Sequence, residues 1–274
     1  MNDKVKIDLG EVQKTLLIPL YGRAMDYGKK NSLLNDKYAH DIVEQIDFDF
    51  ETEFKKMPVQ SSIMSAVRAY HLDSALLKFI DKYPDVTIVN IGAGLDTTFH
   101  RVDNGKIFWY DLDLPDTIAL RRQLIPETER NKFIARSVFD RSWFKDIKER
   151  RSKVFFMTAG VFVYFNEEEI KSLFLDMIRE FPESEIIFEI YSKIFLWLRN
   201  RMIADGKHSV ASRWYWGINS AKAITKWSDK IQIIDEFPYF SRINLEDYWD
   251  KKSLSSIKTM NVFKLMKMVQ LRLG

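Results

Sequence analysis

From residue 86 onward, short apolar runs alternate with longer amphipathic stretches. VTIVNI (86–91), KIFWYDLD (106–113), KFIARS (132–137), RSKVFFMTAG (151–160) and EIIFEIY (185–191) each carry a strand-length apolar run, rich in β-branched and aromatic residues. PDTIALRRQLI (115–125), with Pro115 at its start, and NEEEIKSLFLDMIREF (166–181) read as helices. Asn166 is the expected N-cap of the second, with acidic residues in its first turn. Strands that alternate with helices imply a mostly parallel sheet covered on both faces.

The two ends of the chain follow other rhythms. Residues 12–82 read as helical, with Ile63, Val67, Tyr70 and Leu77 at helix-like spacing in the segment 55–83. Upstream, residues 20–46 read as two short helices around a turn at Asn35–Asp36. Residues 192–226 break the alternation with Trp197, Trp214, Tyr215 and Trp216, and are expected to form a cap beside the sheet's carboxyl edge. KIQIIDEF (230–237) and KLMKMVQLRLG (264–274) read as two more strands, with a helix around 245–257 between them. The expected organisation is one α/β domain over 1–274. It comprises a helical part (12–82), a cofactor-binding core (86–191), a cap (192–226) and closing strands (227–274).

Composition narrows the classes. A net charge of +3, from 42 basic and 39 acidic residues, gives no reason to expect a nucleic-acid partner. A solvated helix end explains the basic run 148–153 at least as well as a docking patch does. Cysteine is absent, which excludes disulfide and thiolate chemistry, and no metal site is expected. The first residues lack the apolar region of a signal peptide, and no run approaches the roughly 20 apolar residues of a membrane span. A cytoplasmic location, without membrane partners, is the default expectation. Aromatics make up 14% of the chain, enough to line a ligand cavity as well as the core.

The chemistry centres on VNIGAGLDTTFH (89–100). Gly92 and Gly94 follow the first strand, at the edge where open α/β sheets bind ligands. Asp111, near the end of the next strand, is the expected ribose ligand; Asp113 is read as the less favoured candidate and as a helix cap. A dinucleotide loop would have a third glycine where this chain has Thr97, and Asp96 adds negative charge where a pyrophosphate would lie. The loop suits a phosphate-free ligand with a cationic amine, such as S-adenosylmethionine. The conventional structural roles are a helix cap for Asp96 and a turn for Asp111.

Seven further stretches, together with that loop, give the chain a family resemblance. They are GRAMDYG (22–28), NDKYAHDI (35–42), VRAYHLD (67–73), WYDLDLPDTIALRRQLI (109–125), SVFDRSW (137–143), GVFVYFNEEEI (160–170) and KWSDKIQIIDEFPYF (226–240). In this order they resemble the leucine carboxyl methyltransferase family, in its bacterial branch of polyketide-type O-methyltransferases. The resemblance implies a class I S-adenosylmethionine-dependent methyltransferase fold, Rossmann-like, with seven strands and an antiparallel last strand. It implies that Arg68 grips the methionine carboxylate and that Arg23 reaches the same end. Gly92, Ala93, Gly94, Asp96, Asp111, Leu112, Ser137 and Val138 complete the expected cofactor site.

Two positions depart from the family pattern. Many relatives carry an acid where this chain has Ala159, and another where it has Ser137.

The expected reaction is direct displacement of S-adenosylhomocysteine by an oxygen of a small molecule. A carboxylate acceptor needs no base, whereas a phenol or alcohol does. His71, His100 and His208 are the candidate bases, with structural roles the commoner outcome for each; His40 completes the four histidines. Tyr164, Tyr191, Trp197, Trp214 and Trp216 are the substrate-contact candidates. Protein C-terminal carboxyl methylation and non-catalytic cofactor binding are the rival readings. The acceptor and the oligomeric state are not legible in the sequence.

Overall fold

The computed structural model describes residues 4–7, 11–54, 59–148, 153–204, 213–244 and 251–274. The chain begins with β1 (Val5–Lys6), α1 (Glu11–Ala24), α2 (Lys37–Gln45), β2 (Ile46–Asp47), α3 (Phe50–Phe54) and the long α4 (Val59–Lys82). The turn expected at Asn35–Asp36 is present: Asn35 has a positive φ, and Asp36 caps α2 by accepting from the Ala39 N–H. Two-residue strands β1 and β2 pair in parallel, a pairing too short to leave a sequence signal.

The alternating region continues through β3 (Thr87–Ile91), α5 (Thr98–Val102), β4 (Phe108–Asp113), α6 (Pro115–Leu124), β5 (Asn131–Ala135) and α7 (Phe144–Lys148). It proceeds to β6 (Val154–Thr158), α8 (Glu167–Glu180), β7 (Ser184–Tyr191), α9 (Lys193–Ala204), β8 (Ile231–Pro238), α10 (Lys251–Val262) and β9 (Met266–Leu273). Pro115 occupies the first turn of α6. Asn166 and Glu169 form a reciprocal capping box that starts α8.

The seven strands β3–β9 form one sheet in the order β5-β4-β3-β6-β7-β9-β8. β3 to β7 are mutually parallel, and β9 runs antiparallel between β7 and β8. This is the class I methyltransferase sheet, with the chain's last strand reversed. Inserting β9 leaves β8 at the edge, where Gln232, Ile233 and Ile234 are exposed.

Side chains alternate across the sheet as strand geometry requires. Val89 and Ile91 join a core cluster with α8 residues and Trp143, whereas Ile88 joins the opposite cluster with α4 residues and Trp109. A third cluster packs α1 and α2 against α6 and β5 through Leu17, Leu20, Ile42, Ile118 and Phe133. That cluster brings the N-terminal helices over the carboxyl edge of β3 and β4.

Two polar contacts tie α4 to the loop after β8. His71 Nε2 lies 2.7 Å from the Tyr239 carbonyl oxygen, so this nitrogen carries the proton and donates. The Tyr239 hydroxyl donates to the Met64 carbonyl at 2.7 Å. Burial lowers the His71 pKa to about 4, and the nearby charge of Arg242 acts in the same direction. Because the folded pKa lies below the unfolded value, the unfolded chain binds the extra proton first as pH falls. The stability held by neutral His71 is complete above about pH 6.5 and is lost towards pH 4, amounting to about 3 kcal/mol. Replacing His71 by Gln, which keeps an N–H donor but does not titrate, should flatten this acid limb in urea melts run across that range.

Candidate functional site

A cavity of about 660 Å³ opens at the carboxyl edge of the sheet. Its floor is the loop after β3, and its walls come from β4, the turn after β6, α1 and α4. The volume lies within the usual range for small-molecule and cofactor pockets.

The glycine loop is held by backbone bonds and by steric constraint. Gly92 N and Ala93 N both donate to the Leu112 carbonyl, and Gly94 N donates to Asp113 Oδ2 at 2.7 Å. Gly92 and Gly94 have φ of +68° and +50°. A Cβ on Gly92 would overlap Val161 Cγ2, and one on Gly94 would come within 3.2 Å of Leu16 Cδ2. Both glycines line the cavity, and neither position has room for a side chain without displacing Val161 or Leu16. At the position of the missing third glycine, Thr97 is buried and donates to Asp36 Oδ2 at 2.6 Å.

Asp111 does not line the cavity, which corrects its expected role as a ribose ligand. Its carboxylate is fully buried and engaged by Arg121 Nη2 at 2.6 Å, Trp109 Nε1 at 2.8 Å and Asn90 Nδ2 at 3.0 Å. Asp113 lines the cavity instead, receiving N–H bonds from Gly94 and Leu114. The two acids share one face of β4, but Asp111 lies two residues, about 6.6 Å, further back along the strand. At that depth the side chain of Arg121 from α6 reaches it and excludes ligand. Burial raises the Asp113 pKa, partly offset by the two amide donors.

Arg121 also donates to the carbonyls of Gly94 (3.0 Å) and Asp96 (2.8 Å). One guanidinium thus holds the loop from beneath while neutralising Asp111. The sequence carried a signal for it: buried Thr117, Ile118, Arg121 and Leu124 mark the inward stripe of α6, and Arg121 sits within that stripe.

Arg23, Arg68 and Asp96 all line the cavity. Arg23 is buried and donates to the Leu95 carbonyl at 2.8 Å and to Asp36 at 3.3 Å. Burial lowers its pKa, against the pull of Asp96 and Asp36. Asp96 accepts from the Thr98 N–H (2.9 Å) and from Asn90 (3.3 Å). Its burial opposes ionisation, but Arg23, Arg101 and the Thr98 amide outweigh it, so its pKa falls and it remains a carboxylate. Arg68 pairs with Glu189 at 3.4 Å; burial acts to neutralise it, and Glu189 keeps it charged.

Ala93, Leu112, Ser137 and Val138 line the same cavity. So do Tyr164, Tyr191 and Trp214, with the last two rings 4.6 Å apart. Trp197 and Trp216 do not. Trp197 is 57% exposed on α9, with Arg201 over its ring, whereas Asn200 bonds the Trp214 backbone. Trp216 is buried in the core against Phe162, Phe188 and Trp227. Of the histidines, His71 is committed to Tyr239, His100 stacks on Tyr38, and His40 packs near Tyr27; none of these three lines the cavity. His208 lies outside the described residues.

Several lining residues had not been singled out: Leu16 and Pro19 of α1, Ser65, Ala69 and Leu72 of α4, Arg136 and Phe165. The α4 set has a recoverable pattern. Ser65, Arg68, Ala69 and Leu72 fall at i, i+3, i+4 and i+7, one helical face that carries Arg68. Among the described residues, no group of three or more His, Cys, Asp or Glu could hold a metal, and no helix is long and apolar enough to cross a membrane.

Removing Asp111 would leave Arg121 buried without its carboxylate. Asp111→Ala is expected to cost about 3–5 kcal/mol of folding stability. Chemical denaturation would measure this; an unchanged midpoint would show that the pair does not anchor the loop.

Residues 17–178 match the sequence profile of leucine carboxyl methyltransferase. The chain is 28% identical over 223 residues to the tetracenomycin polyketide synthesis O-methyltransferase TcmP of Streptomyces glaucescens, covering 80% of this chain and 79% of that one. It is 27% identical over 241 residues to the S-adenosyl-L-methionine-dependent methyltransferase dpfgK of Gibberella zeae, covering 81% and 80%. In fold it is similar to magnesium protoporphyrin IX methyltransferase from Synechocystis, solved with bound S-adenosylhomocysteine. That likeness has a TM-score of 0.52 at 10% identity and covers 87% of this chain and 96% of that one. The chain belongs to the leucine carboxyl methyltransferase family and is an S-adenosylmethionine-dependent methyltransferase.

Proposed function

We propose that the protein methylates an oxygen of a small aromatic molecule, and that the two ends of the cavity divide the work. The observation that carries this reading is that one cavity joins the glycine loop to the aromatic group Tyr164, Phe165, Tyr191 and Trp214. The loop end fits S-adenosylmethionine: Gly92 and Gly94 line it without side chains, Asp113 offers a carboxylate at the end of β4, and Arg68 offers a guanidinium from α4. In this reading Asp113 accepts from the ribose hydroxyls, and Leu112, Ser137 and Val138 flank the adenine. Arg68 holds the amino-acid carboxylate and Asp96 favours its ammonium. Arg23, already bonded to Leu95 and Asp36, supports the loop.

Bound S-adenosylmethionine supplies a methyl group on a sulfonium, and an acceptor oxygen takes it by direct displacement. The chain's task is alignment and exclusion of water. Trp214 and Tyr191 provide flat apolar surface for a planar acceptor. The Tyr191 hydroxyl is kept protonated, because burial raises its pKa well above 10 and Glu189 adds to the effect. It can therefore donate a hydrogen bond to an acceptor oxygen but cannot serve as a base at neutral pH. This favours an acceptor that arrives as an anion, a carboxylate or an acidic phenol, over an alcohol. TcmP, named for polyketide synthesis and O-methylation, supports methyl transfer to an oxygen of a small molecule.

The direct test is turnover with a panel of an aromatic carboxylic acid, an acidic phenol, an aliphatic alcohol and a peptide ending in leucine, read by mass spectrometry. Methyl ester or ether on the aromatic acceptors is expected, with a carboxylate acceptor's rate flat from roughly pH 6 to 9. Transfer to the peptide alone would establish the protein-methylating alternative. Asp113→Ala should weaken S-adenosylmethionine binding by about ten- to a hundredfold, the worth of charged hydrogen bonds. Calorimetry showing unchanged affinity would remove Asp113 from the site.

A further inference from the structure

Glu189 is not part of the cavity wall, yet it connects to two residues that are. It lies near the carboxyl end of β7 and is 4% exposed. The β6–β7 register pairs Met157 with Ile187; continued by two residues, it sets Glu189 level with Ala159. Its Oε1 accepts from the Gly160 N–H at 2.5 Å and from Arg68 Nη1 at 3.4 Å. Gly160 has φ of +73°, and a Cβ there would stand 2.8 Å from Arg68 Nη1. Arg68 therefore lies flat against the turn after β6, with one carboxylate oxygen fastening both. Among the described residues, Glu189 Oε2 is buried without a hydrogen-bond partner.

A buried carboxylate with one oxygen unsatisfied is costly unless its charge is used. Here it offsets the charge of Arg68, a buried arginine on a different element. The 3.4 Å contact is at the long end of hydrogen-bond distance, and the second oxygen leaves capacity for a two-pronged pairing of the kind arginine favours.

We propose that Glu189 is a positioning residue for the amino-acid end of the cofactor: it orients the Arg68 guanidinium into the cavity and couples that orientation to the turn at Ala159–Gly160. The proposal rests on the reading of Arg68 as the carboxylate clamp. Its effect should therefore be confined to ligands that carry the amino-acid group, whereas a purely structural role would weaken all ligands alike.

The test compares S-adenosylhomocysteine with 5′-methylthioadenosine, which shares the adenosyl part but lacks the amino acid. Both are titrated calorimetrically into the full-length protein. In Glu189→Gln, which keeps the shape and removes the charge, S-adenosylhomocysteine affinity should fall about tenfold while 5′-methylthioadenosine binding stays within about twofold. Glu189→Asp, which retains the charge but withdraws it by one carbon, should show the same selective loss to a smaller extent and serves if the Gln variant does not fold. Equal weakening of both ligands, or of neither, overturns the proposal. Arg68→Met tests the underlying reading separately. A selective loss in Arg68→Met but not in Glu189→Gln removes the role of Glu189 and leaves the clamp standing; no selective loss in either variant removes the clamp.

Discussion

The site depends on the buried pair of Arg121 and Asp111. Arg121 extends from α6 beneath the glycine loop, meets Asp111 at 2.6 Å, and bonds the carbonyls of Gly94 and Asp96. Both partners are almost wholly removed from water. Such a pair contributes little net stability compared with apolar packing, because desolvation offsets most of the attraction. Its value is geometric. The loop has positive φ at both glycines, and its carbonyls on the underside need donors. A guanidinium supplies several in fixed directions, so the upper side of the loop is left facing the cavity.

A second charged network fixes the helices that complete the cavity. Asp36 at the start of α2 accepts from Arg23 of α1, Thr97 of the loop and Arg101 of α5, and Arg101 continues to Asp73 of α4. The elements that wall the cavity thus share one set of buried charges with the loop. These contacts explain how α1 and α4, far apart in sequence from β3, contribute Leu16, Pro19, Ser65 and Arg68 to the same cavity. Opposite them, Tyr164, Tyr191 and Trp214 form an end that is largely apolar. In the function proposed above, the charges that hold the cofactor lie at the loop end, and the acceptor end is left to shape and aromatic surface.

The strands and their order of types were legible because β3, β6 and β7 are buried along their whole length and read as unbroken apolar runs. The turn at Asn35–Asp36, Pro115 and the Asn166 cap placed the starts of α2, α6 and α8. The loop was legible through its glycines, and the arginines through the family resemblance. Asp111 and Asp113 could not be ranked correctly, because both sit on one strand face and spacing from Gly92 does not reveal depth. Trp197, Trp214 and Trp216 were equally opaque. Three tryptophans spread over residues 192–226 give no common periodicity, and they end up in solvent, in the cavity and in the core respectively.

The sequence by itself determined the sheet, the glycine loop and the class of donor, since these follow from local pattern: burial along a strand, the freedom of glycine, and a run of motifs in fixed order. Tertiary structure alone decided which carboxylate faces the cavity, which aromatic rings reach it, and that Glu189 stands behind Arg68. Each of these depends on what a second element places against the residue. Arg121 covers Asp111, Phe162 and Phe188 enclose Trp216, and the turn after β6 brings the Gly160 N–H onto Glu189. Side chains identical in type acquire opposite roles from neighbours many residues away, and no spacing along the chain encodes that difference.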